Sequence, residues 1–399
     1  MGVSLINKVK YSKTIYSLYS WAGSIVVNVV KWFVKKDNHL IVFVSFGGRR
    51  FDDSPRAIYE QMLQDERFNA YRLVWAFINP ESYSLKRGEK IKIDTLKYYK
   101  ILLQAKVWIT NSSVERGLHF KGRNCLYFNT WHGSAIKVMG NDIADDNASF
   151  GNKTKKKGAV CNYDVFLAQG QHDIAVFSKA FCIPKNTIKL IGLPRNDVLI
   201  QGGNEDLRNE IRRIIHIPYG KKVILYAPTF REYEKDTQNN CKLTLPLDLV
   251  KWEKELGDEY VFLLRAHYEV VKGLNVNDNG FVFNVSDYPN LNDLMIVSDM
   301  LISDYSSIFF DYSIQGKPML TYCYDYDRYA SERGMYFDIR RELDDYATNE
   351  EELLNNIKTM DIVSRSTISL KFRDKYVTEF GKATIMSLDA IQSYLQKNN

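Results

Sequence analysis

The sequence predicts an α/β protein of two Rossmann-like, doubly wound domains that face each other across a cleft. Short apolar runs of strand length alternate with helical patterns along most of the chain, which is typical of parallel sheets covered by helices. The chain has 399 residues, too many for one ordinary hydrophobic core, and the alternation restarts after a polar stretch at 201–206. The sequence therefore indicates two domains of the same class.

The first of these domains is predicted to span residues 39–203. Its apolar runs are rich in β-branched and aromatic residues, as in strands buried on both faces of a sheet. The intervening segments have the 3.6-residue spacing of helices. We expect strands at 40–46, 72–77, 106–110, 125–129, 165–168 and 187–191, with helices at 55–63, 95–104 and 173–180.

The second domain is predicted to span residues 204–370. A helix at 306–315 ends at Gly316, so the chain around it has the order strand, turn, helix, strand. The last segment, 371–399, is predicted to hold a helix that crosses back to the first domain. We expect strands of the second domain at 223–226, 260–264, 281–284, 300–303 and 319–322.

The amino-terminal segment, 1–38, predicts an amphipathic helix that associates with a membrane. No charged residue occurs from Ile15 to Val30, and lysines flank this stretch on both sides. Several serines interrupt it, so it falls short of the roughly 20 mostly apolar residues of a spanning helix. Trp21 and Trp32 suit the headgroup level, and lysines suit anionic lipid. A signal peptide and a helix packed on the protein's own surface are the alternatives.

Charge and cysteine content narrow the function classes. The 54 Lys and Arg residues exceed the 48 Asp and Glu residues by 6, which suits an anionic ligand or an anionic membrane surface. Nucleic-acid binding is not expected, because the excess is small and no basic stripe with interleaved aromatic residues occurs. The 5 cysteines are scattered and form no CxxC pair, which predicts reduced thiols and no zinc site.

The turn after the strand at 300–303 is a candidate phosphate site. Asp304, Ser306 and Ser307 lie where a parallel strand is followed by a helix, at the edge where open α/β sheets bind ligands. Free backbone N–H groups, the helix dipole and two hydroxyls would meet an anion there. The alternatives are that the serines only cap the helix and that Asp311 is only a carboxylate favoured by the helix dipole.

Other polar clusters also follow predicted strands. His132 follows the strand at 125–129, where an imidazole could take a proton from an attacking hydroxyl, although a lone histidine is more often structural. Arg265 and His267 follow the strand at 260–264 and suit a diphosphate. Further candidates at strand ends are Thr229, Arg231, Arg195 and Asp197. Together they predict a positive cleft suited to transfer from a nucleotide diphosphate donor.

A series of motifs lies in these segments. The motifs are SFGGRRFDDSPRAIYE at 45–60, NTWHGSAIKVMG at 129–140, GLPRND at 192–197, ILYAPTFRE at 224–232, RAH at 265–267, SDYSSIFFDYSIQGKPM at 303–319 and GMYFD at 334–338. In this order they resemble the CDP-glycerol glycerophosphotransferases, the wall teichoic acid primase and polymerase family, and the resemblance covers most of the chain from about Phe43 onward. It implies a GT-B fold, a peripheral enzyme on the cytoplasmic face of the cell membrane, and attack by an acceptor hydroxyl on the β-phosphorus of a CDP-alditol with loss of CMP.

The resemblance also implies roles for single residues. His132 resembles the proposed base, and His267 and Arg265 resemble the diphosphate contacts. Ala135, Val138 and Tyr268 replace residues common in the family, which bears on the acceptor and on donor geometry more than on the reaction class. The implied donor-binding residues are Arg265, Asp304, Ser306, Ser307, Asp311, Thr229 and Arg231, and those of the acceptor side or the cleft are Gly133, Ser134, Lys137, Arg195 and Asp197.

The expected function is transfer of glycerol phosphate from CDP-glycerol to a lipid-linked saccharide or a growing polyol-phosphate chain at the inner leaflet. The alternatives are transfer of ribitol phosphate from CDP-ribitol, a GT-B glycosyltransferase that uses a nucleotide sugar, and a non-catalytic membrane adaptor. Positioning and charge stabilisation can supply much of the catalysis of phosphoryl transfer. No obligatory cofactor and no protein-bound metal are therefore predicted, with Mg²⁺ left as an open alternative.

Overall fold

The computed structural model describes residues 13–144, 162–200, 205–229, 231, 245–266, 279–344 and 346–397. Its described strands form two parallel sheets, one of seven strands in the order β3-β2-β1-β4-β5-β6-β7 and one of five in the order β10-β9-β8-β11-β12. This confirms the predicted α/β class with parallel sheets. His267 and the basic run at 153–157 lie outside the described residues.

The strands of the first sheet agree closely with the prediction, apart from one edge strand. Their bounds are β1 Asp37–Val44, β2 Arg72–Phe77, β3 Glu89–Lys92, β4 Ala105–Thr110, β5 Leu126–Asn129, β6 Val165–Ala168 and β7 Ile188–Leu190. β3 was not predicted, because it lies at the edge, where charged residues are tolerated, and only Ile91 is buried in it.

The second sheet is shorter and equally buried. Its strands are β8 Lys222–Tyr226, β9 Tyr260–Leu264, β10 Val282–Asn284, β11 Met300–Ser303 and β12 Met319–Thr321. The helix predicted at 306–315 is wrong in its bounds. It begins at Ile308 and ends at Ser313, because Ser306 and Ser307 belong to the turn before it. Part of the polar stretch at 201–206 is helical, since Glu205 and Asp206 form the first turn of a helix, where acidic side chains are favoured.

Helices cover both sheets and account for the remaining core. Alternate residues of β1 point to opposite faces, so that Val42 packs with Trp108 on one face and Phe43 with Trp75 on the other. The helices are α1 Lys13–Lys31, α2 Asp53–Met62, α3 Leu96–Gln104, α4 Gln171–Ala180, α5 Asp197–Ile200, α6 Glu205–Ile215, α7 Leu249–Leu256, α8 Leu291–Val297, α9 Ile308–Ser313, α10 Tyr326–Arg333, α11 Ile339–Leu343, α12 Glu350–Lys358, α13 Ile362–Tyr376 and α14 Ala383–Lys397.

The chain returns to the first sheet at its carboxyl-terminal end. Leu388, Ile391 and Leu395 of α14 belong to the same hydrophobic cluster as Phe43 of β1. Asp197 accepts hydrogen bonds from the first two N–H groups of α14, with N···O distances of 3.0 and 2.7 Å. The last helix is therefore fixed to the first sheet by apolar packing and by a carboxylate at its positive end.

Helix α1 packs against the first sheet's core through Val27 and several polar residues, and it exposes most of its large apolar side chains. Ser20 Oγ donates to the Gly117 carbonyl at 2.7 Å, and Asn28 Nδ2 donates to the His119 carbonyl at 2.7 Å. Among the described residues, no helix is long and apolar enough to span a membrane. The large apolar side chains that α1 exposes are Ile15, Leu18, Tyr19, Trp21, Ile25, Val26, Val29 and Val30.

Candidate active site

The two sheets meet where the loop after β5 contacts the turn after β11. A Cβ atom built on Gly133 would lie 3.0 Å from Ser307 Oγ and 3.2 Å from Ser307 Cβ, and the φ of Gly133 is +149°. Both the space and the backbone conformation therefore require glycine. The loop that carries His132 therefore contacts the turn that carries Ser307, as the sequence predicts for residues at the carboxyl ends of parallel strands.

The His132 ring is held in one tautomer. Its Nδ1 lies 2.7 Å from the backbone carbonyl oxygen of Asn111. A carbonyl can only accept, so Nδ1 carries the proton and Nε2 carries the lone pair. Burial lowers the pKa of the imidazole below its usual value, against the opposing effect of the Asn111 hydrogen bond. His132 is thus neutral near pH 7 and able to accept a proton at Nε2.

Asn111 is a site residue that the sequence did not single out. It follows β4, and its Oδ1 accepts a hydrogen bond from Phe46 N, which follows β1, at 2.8 Å. Its main-chain carbonyl holds His132, which follows β5. The carboxyl ends of three neighbouring strands are joined through this one residue. Its position directly after a buried strand is the signal that could have identified it.

Arg195 forms a buried ion-pair bridge between the two sheets. Its Nη1 lies 2.6 Å from Asp53 Oδ2 and its Nη2 lies 2.7 Å from Asp311 Oδ2. Asn196 Nδ2 donates to the other oxygen of Asp311 at 2.7 Å. The Asp311 side chain is only 4% exposed and is bound by these groups. It thus joins the two halves of the chain, and its donor-binding role stays a prediction. Asp53 is a partner that the sequence did not indicate.

Ser134 and Asp197 are also occupied by structural contacts. Ser134 Oγ donates to Asp173 Oδ2 at 2.9 Å and accepts from Gln169 Nε2 at 2.9 Å in the buried interior. Burial raises the pKa of Asp173 to about 7. Asp197 caps α14 as described above. Ser134 and Asp197 thus support the first sheet, and Asp197 also lines the cavity described below. Their place on the acceptor side or in the cleft stays a prediction.

The loop around Lys137 is hydrogen-bonded to the second half of the chain. Val138 N donates to the Gly334 carbonyl at 3.1 Å, and Tyr336 N donates to the Ile136 carbonyl at 2.8 Å. Lys137 itself pairs with Met335 as an isolated antiparallel bridge. The loop that carries His132 is thus tied to the motif at 334–338 on one side and, through Arg195, to α9 on the other.

The turn after β11 is fixed by Asp304. Its Oδ1 accepts hydrogen bonds from Thr229 N at 2.9 Å and Tyr305 N at 2.6 Å, and its Oδ2 accepts from Arg231 Nη1 at 2.8 Å. The carboxylate is buried. Asp304 therefore orients the turn that holds Ser306 and Ser307.

Arg231 lies at the centre of a buried charge cluster. Its Nε and Nη2 bind the two oxygens of Asp325 at 2.7 and 2.9 Å, in addition to the bond to Asp304. The Arg231 side chain is 2% exposed, so no guanidinium nitrogen is directed to a ligand. Arg231 and the backbone N–H of Thr229 thus support the turn through Asp304, and the donor-binding roles implied for these two residues stay predictions. Three aromatic rings lie about 5 Å from the guanidinium, those of Tyr305, Tyr324 and Tyr329.

Arg265 follows β9 and is fixed by one nitrogen. Its Nη1 donates to the carbonyls of Val285, Ser286 and Tyr288 at 2.7, 2.8 and 2.5 Å. Burial, followed by the nearby positive charge of Arg50, lowers the pKa of Arg265 to about 10. The carboxylates of Asp52 and Asp287 act on this pKa in the opposite direction. Arg50, which the sequence did not single out as a site residue, thus lies near the predicted phosphate contact.

A polar cavity of about 520 Å³ adjoins the Asp53–Arg195 pair. It lies between α2, the segment after β7 and the start of α8, and its lining includes Asp52, Arg56 and Asn292. Burial and the adjacent Asp53 raise the pKa of Asp52 to about 6. The cavity suits a hydrophilic ligand in contact with both halves of the chain.

Comparison with known proteins identifies the family. Residues 26–380 match the model of the CDP-Glycerol:Poly(glycerophosphate) glycerophosphotransferase family. The chain belongs to this family. A teichoic acid poly(glycerol phosphate) polymerase of Staphylococcus epidermidis is 36% identical over 321 residues, which are 77% of this chain and 44% of that protein. A teichoic acid glycerol-phosphate transferase of Staphylococcus aureus is 30% identical over 362 residues, which are 87% of this chain and 91% of that protein.

Solved structures of the wall teichoic acid polymerase TagF share the fold of this chain. One has a TM-score of 0.82 and 29% identity, and the alignment covers 100% of this chain and 99% of the other. A second, obtained after a soak with CDPG, has the same TM-score, identity and coverage. The predicted GT-B architecture is thereby confirmed. The chain spans less than half of the length of the S. epidermidis polymerase and nearly all of the S. aureus transferase.

Proposed function

We propose that this protein moves glycerol phosphate from CDP-glycerol to a hydroxyl of a lipid-linked saccharide or of a growing polyol-phosphate chain. The observation that carries the proposal is that His132, with a lone pair on Nε2, lies in the loop whose Gly133 contacts Ser307. The relatives named above act on glycerol phosphate, and TagF was soaked with CDPG. Transfer of ribitol phosphate from CDP-ribitol is the second candidate, since it needs the same diphosphate contacts.

In the proposed reaction, His132 Nε2 takes the proton of the acceptor hydroxyl. The acceptor oxygen bonds to the β-phosphorus, and the bond from this phosphorus to the oxygen bridging to the α-phosphate breaks. CMP leaves with the bridging oxygen and its electron pair. Arg265 and the hydroxyls of Ser306 and Ser307 hold the diphosphate, and His267 is proposed to stabilise the leaving group. Positioning and charge stabilisation then supply most of the acceleration.

The proposal is tested by analysis of both products. The purified protein is incubated with a short-lipid disaccharide acceptor and either CDP-glycerol or CDP-ribitol. We expect CMP and an acceptor enlarged by glycerol phosphate units with the first donor, and little product with the second. A preference for CDP-ribitol would support the second candidate. Release of a nucleoside diphosphate from a nucleotide sugar, with no CMP from either alditol donor, would contradict both.

We further propose that the exposed apolar side of α1 rests on the inner leaflet of the cytoplasmic membrane. Leu18, Trp21 and Val26 are each more than 60% exposed, whereas the polar side of the helix is hydrogen-bonded to the protein. A helix whose apolar side faces away from its own protein is stabilised by an interface of headgroups and acyl chains. Lys35, which is exposed just after α1, suits an anionic leaflet.

Replacement of Trp21 and Val26 by serine is expected to lower binding to phosphatidylglycerol vesicles by more than tenfold. Each large apolar side chain contributes about 1.5–3 kcal/mol when it is buried. Vesicle co-sedimentation measures the effect. The control is Ile362→Ser with Val363→Ser, since both residues are exposed, apolar and outside α1. Equal loss in the two double variants, or no loss in the first, would contradict the proposal.

A further inference from the structure

The Asp53–Arg195–Asp311 bridge lies beside the proposed base. Asp311 belongs to α9, the helix that directly follows Ser307, and Asp53 begins α2 on the first sheet. Arg195 Nη2 would lie 3.8 Å from a Cβ atom on Gly133. The guanidinium therefore contacts the loop of His132 and the helix after Ser307 at the same time. A change in this bridge would alter the separation of His132 and Ser307.

The two charges of the bridge act on the His132 ring in opposite directions. Asp53 favours the protonated imidazole and Arg195 favours the neutral form. The other groups around the ring are neutral: the carbonyl of Asn111 and the rings of Phe46 and Trp131, which lie 5.8 and 4.1 Å away between centroids. Among the described residues, the protonation of His132 is therefore set by burial, one hydrogen bond and this ion pair.

The backbone of Asp53 is a second sign that its position is functional. Its φ is +65°, in the left-handed region that non-glycine residues rarely adopt. Such a conformation costs on the order of 1 kcal/mol and persists only where the surroundings enforce it. Here a bond of 2.6 Å to Arg195 and a hydrogen bond of 2.6 Å from Ser54 N to Asp53 Oδ1 enforce it.

We propose that Asp53 and Arg195 are positioning residues of the transfer reaction. Through Asp311 they fix His132 opposite Ser307, and their opposed charges keep the imidazole neutral while leaving it basic enough to accept the proton. This inference rests on the proposed role of His132 as the base. It adds two residues to the site and gives each a distinct electrostatic effect that a purely structural contact would not have.

The test is the titration of His132 by NMR in protein with ¹³C-labelled histidine, with the His132→Ala spectrum as the assignment. We expect Asp53→Asn to lower the pKa of His132 and Arg195→Gln to raise it, each by about one unit. On the acid side of its pH profile, kcat/KM for transfer should follow the pKa of His132. The profile should shift to lower pH in Asp53→Asn and to higher pH in Arg195→Gln. Arg195→Lys should leave the pKa of His132 near the wild-type value, because the positive charge is kept. It should lower kcat, because an ammonium group does not reproduce the two fixed bonds of the guanidinium to Asp53 and Asp311.

A matched control is available on the surface. Arg67 also bridges two aspartates, Asp65 and Asp389, at 2.6 and 2.7 Å, but its side chain is 42% exposed. Arg67→Gln should shift neither the pKa of His132 nor the pH profile. Folded variants whose His132 titrates as in wild type, or shifts in the same direction in both, would overturn the inference. Because the titration needs no turnover, the predicted shifts in a protein that releases no CMP would count against the proposed function alone.

Discussion

Replacement of His132 by alanine is expected to reduce CDP-glycerol-dependent transfer by about 10²- to 10⁴-fold, the usual contribution of a positioned general base. The tautomer fixed by the Asn111 carbonyl leaves Nε2 as the basic atom, and alanine provides no substitute for it. CDP-glycerol should still bind, because its proposed contacts lie on the second sheet. Release of CMP at saturating donor measures the first effect, and equilibrium binding of the donor measures the second.

The control for this variant is His39→Ala. His39 is exposed and lies near the amino-terminal end of β1. His132 follows the carboxyl end of β5, at the opposite end of the strands. We expect wild-type transfer from it. An active His132→Ala protein would exclude the base role. Loss of donor binding in His132→Ala that matches its loss of transfer would instead assign the imidazole to the donor, and the proposed proton transfer would be wrong.

The predicted fold was accurate because its signals are local. The strands at 72–77, 165–168, 260–264 and 300–303 have the bounds that their apolar runs indicate. The carboxyl ends of the strands of a parallel sheet lie on the same side of it. His132 and Ser307 both follow such ends, so the sequence also predicted that His132 and the turn of Ser307 would lie near each other. The edge strand β3 could not be predicted in this way, because its single buried residue, Ile91, gives no periodic pattern.

The roles of single polar residues were harder to predict from the sequence, because these roles depend on partners that are distant in the chain. Arg195 and Asp311 were both predicted at the cleft, yet nothing local shows that they bind each other across 116 positions. Arg231 follows a strand just as Arg265 does, but the first is enclosed by Asp304 and Asp325 and the second is held mainly by carbonyls. A strand-end motif thus predicts where a residue lies, and the tertiary partners decide whether it is free to bind a ligand.

Arg231→Met is expected to destabilise the second sheet by about 3–5 kcal/mol, the usual cost of breaking a buried ion pair by removal of one partner. The substitution preserves much of the side-chain volume but leaves Asp304 and Asp325 without their cation. Asp304 holds the turn at Ser306 and Ser307, so donor binding should weaken as well. Denaturant unfolding measures the loss, and hydrogen exchange should show it in β8 and β11 but not in β1 and β4.

The double variant Arg231→Met with Asp304→Asn separates charge from packing. The second change neutralises one of the two unpaired carboxylates, so it should restore part of the lost stability although it removes a further native group. Arg67→Gln, which breaks an exposed pair of the same composition, should cost no more than about 1 kcal/mol. If Arg231→Met were as mild as Arg67→Gln, the cluster would not be what fixes the turn. The position of Ser307 opposite His132 would then have to depend on the Arg195 bridge and the backbone pairing with 334–336 alone.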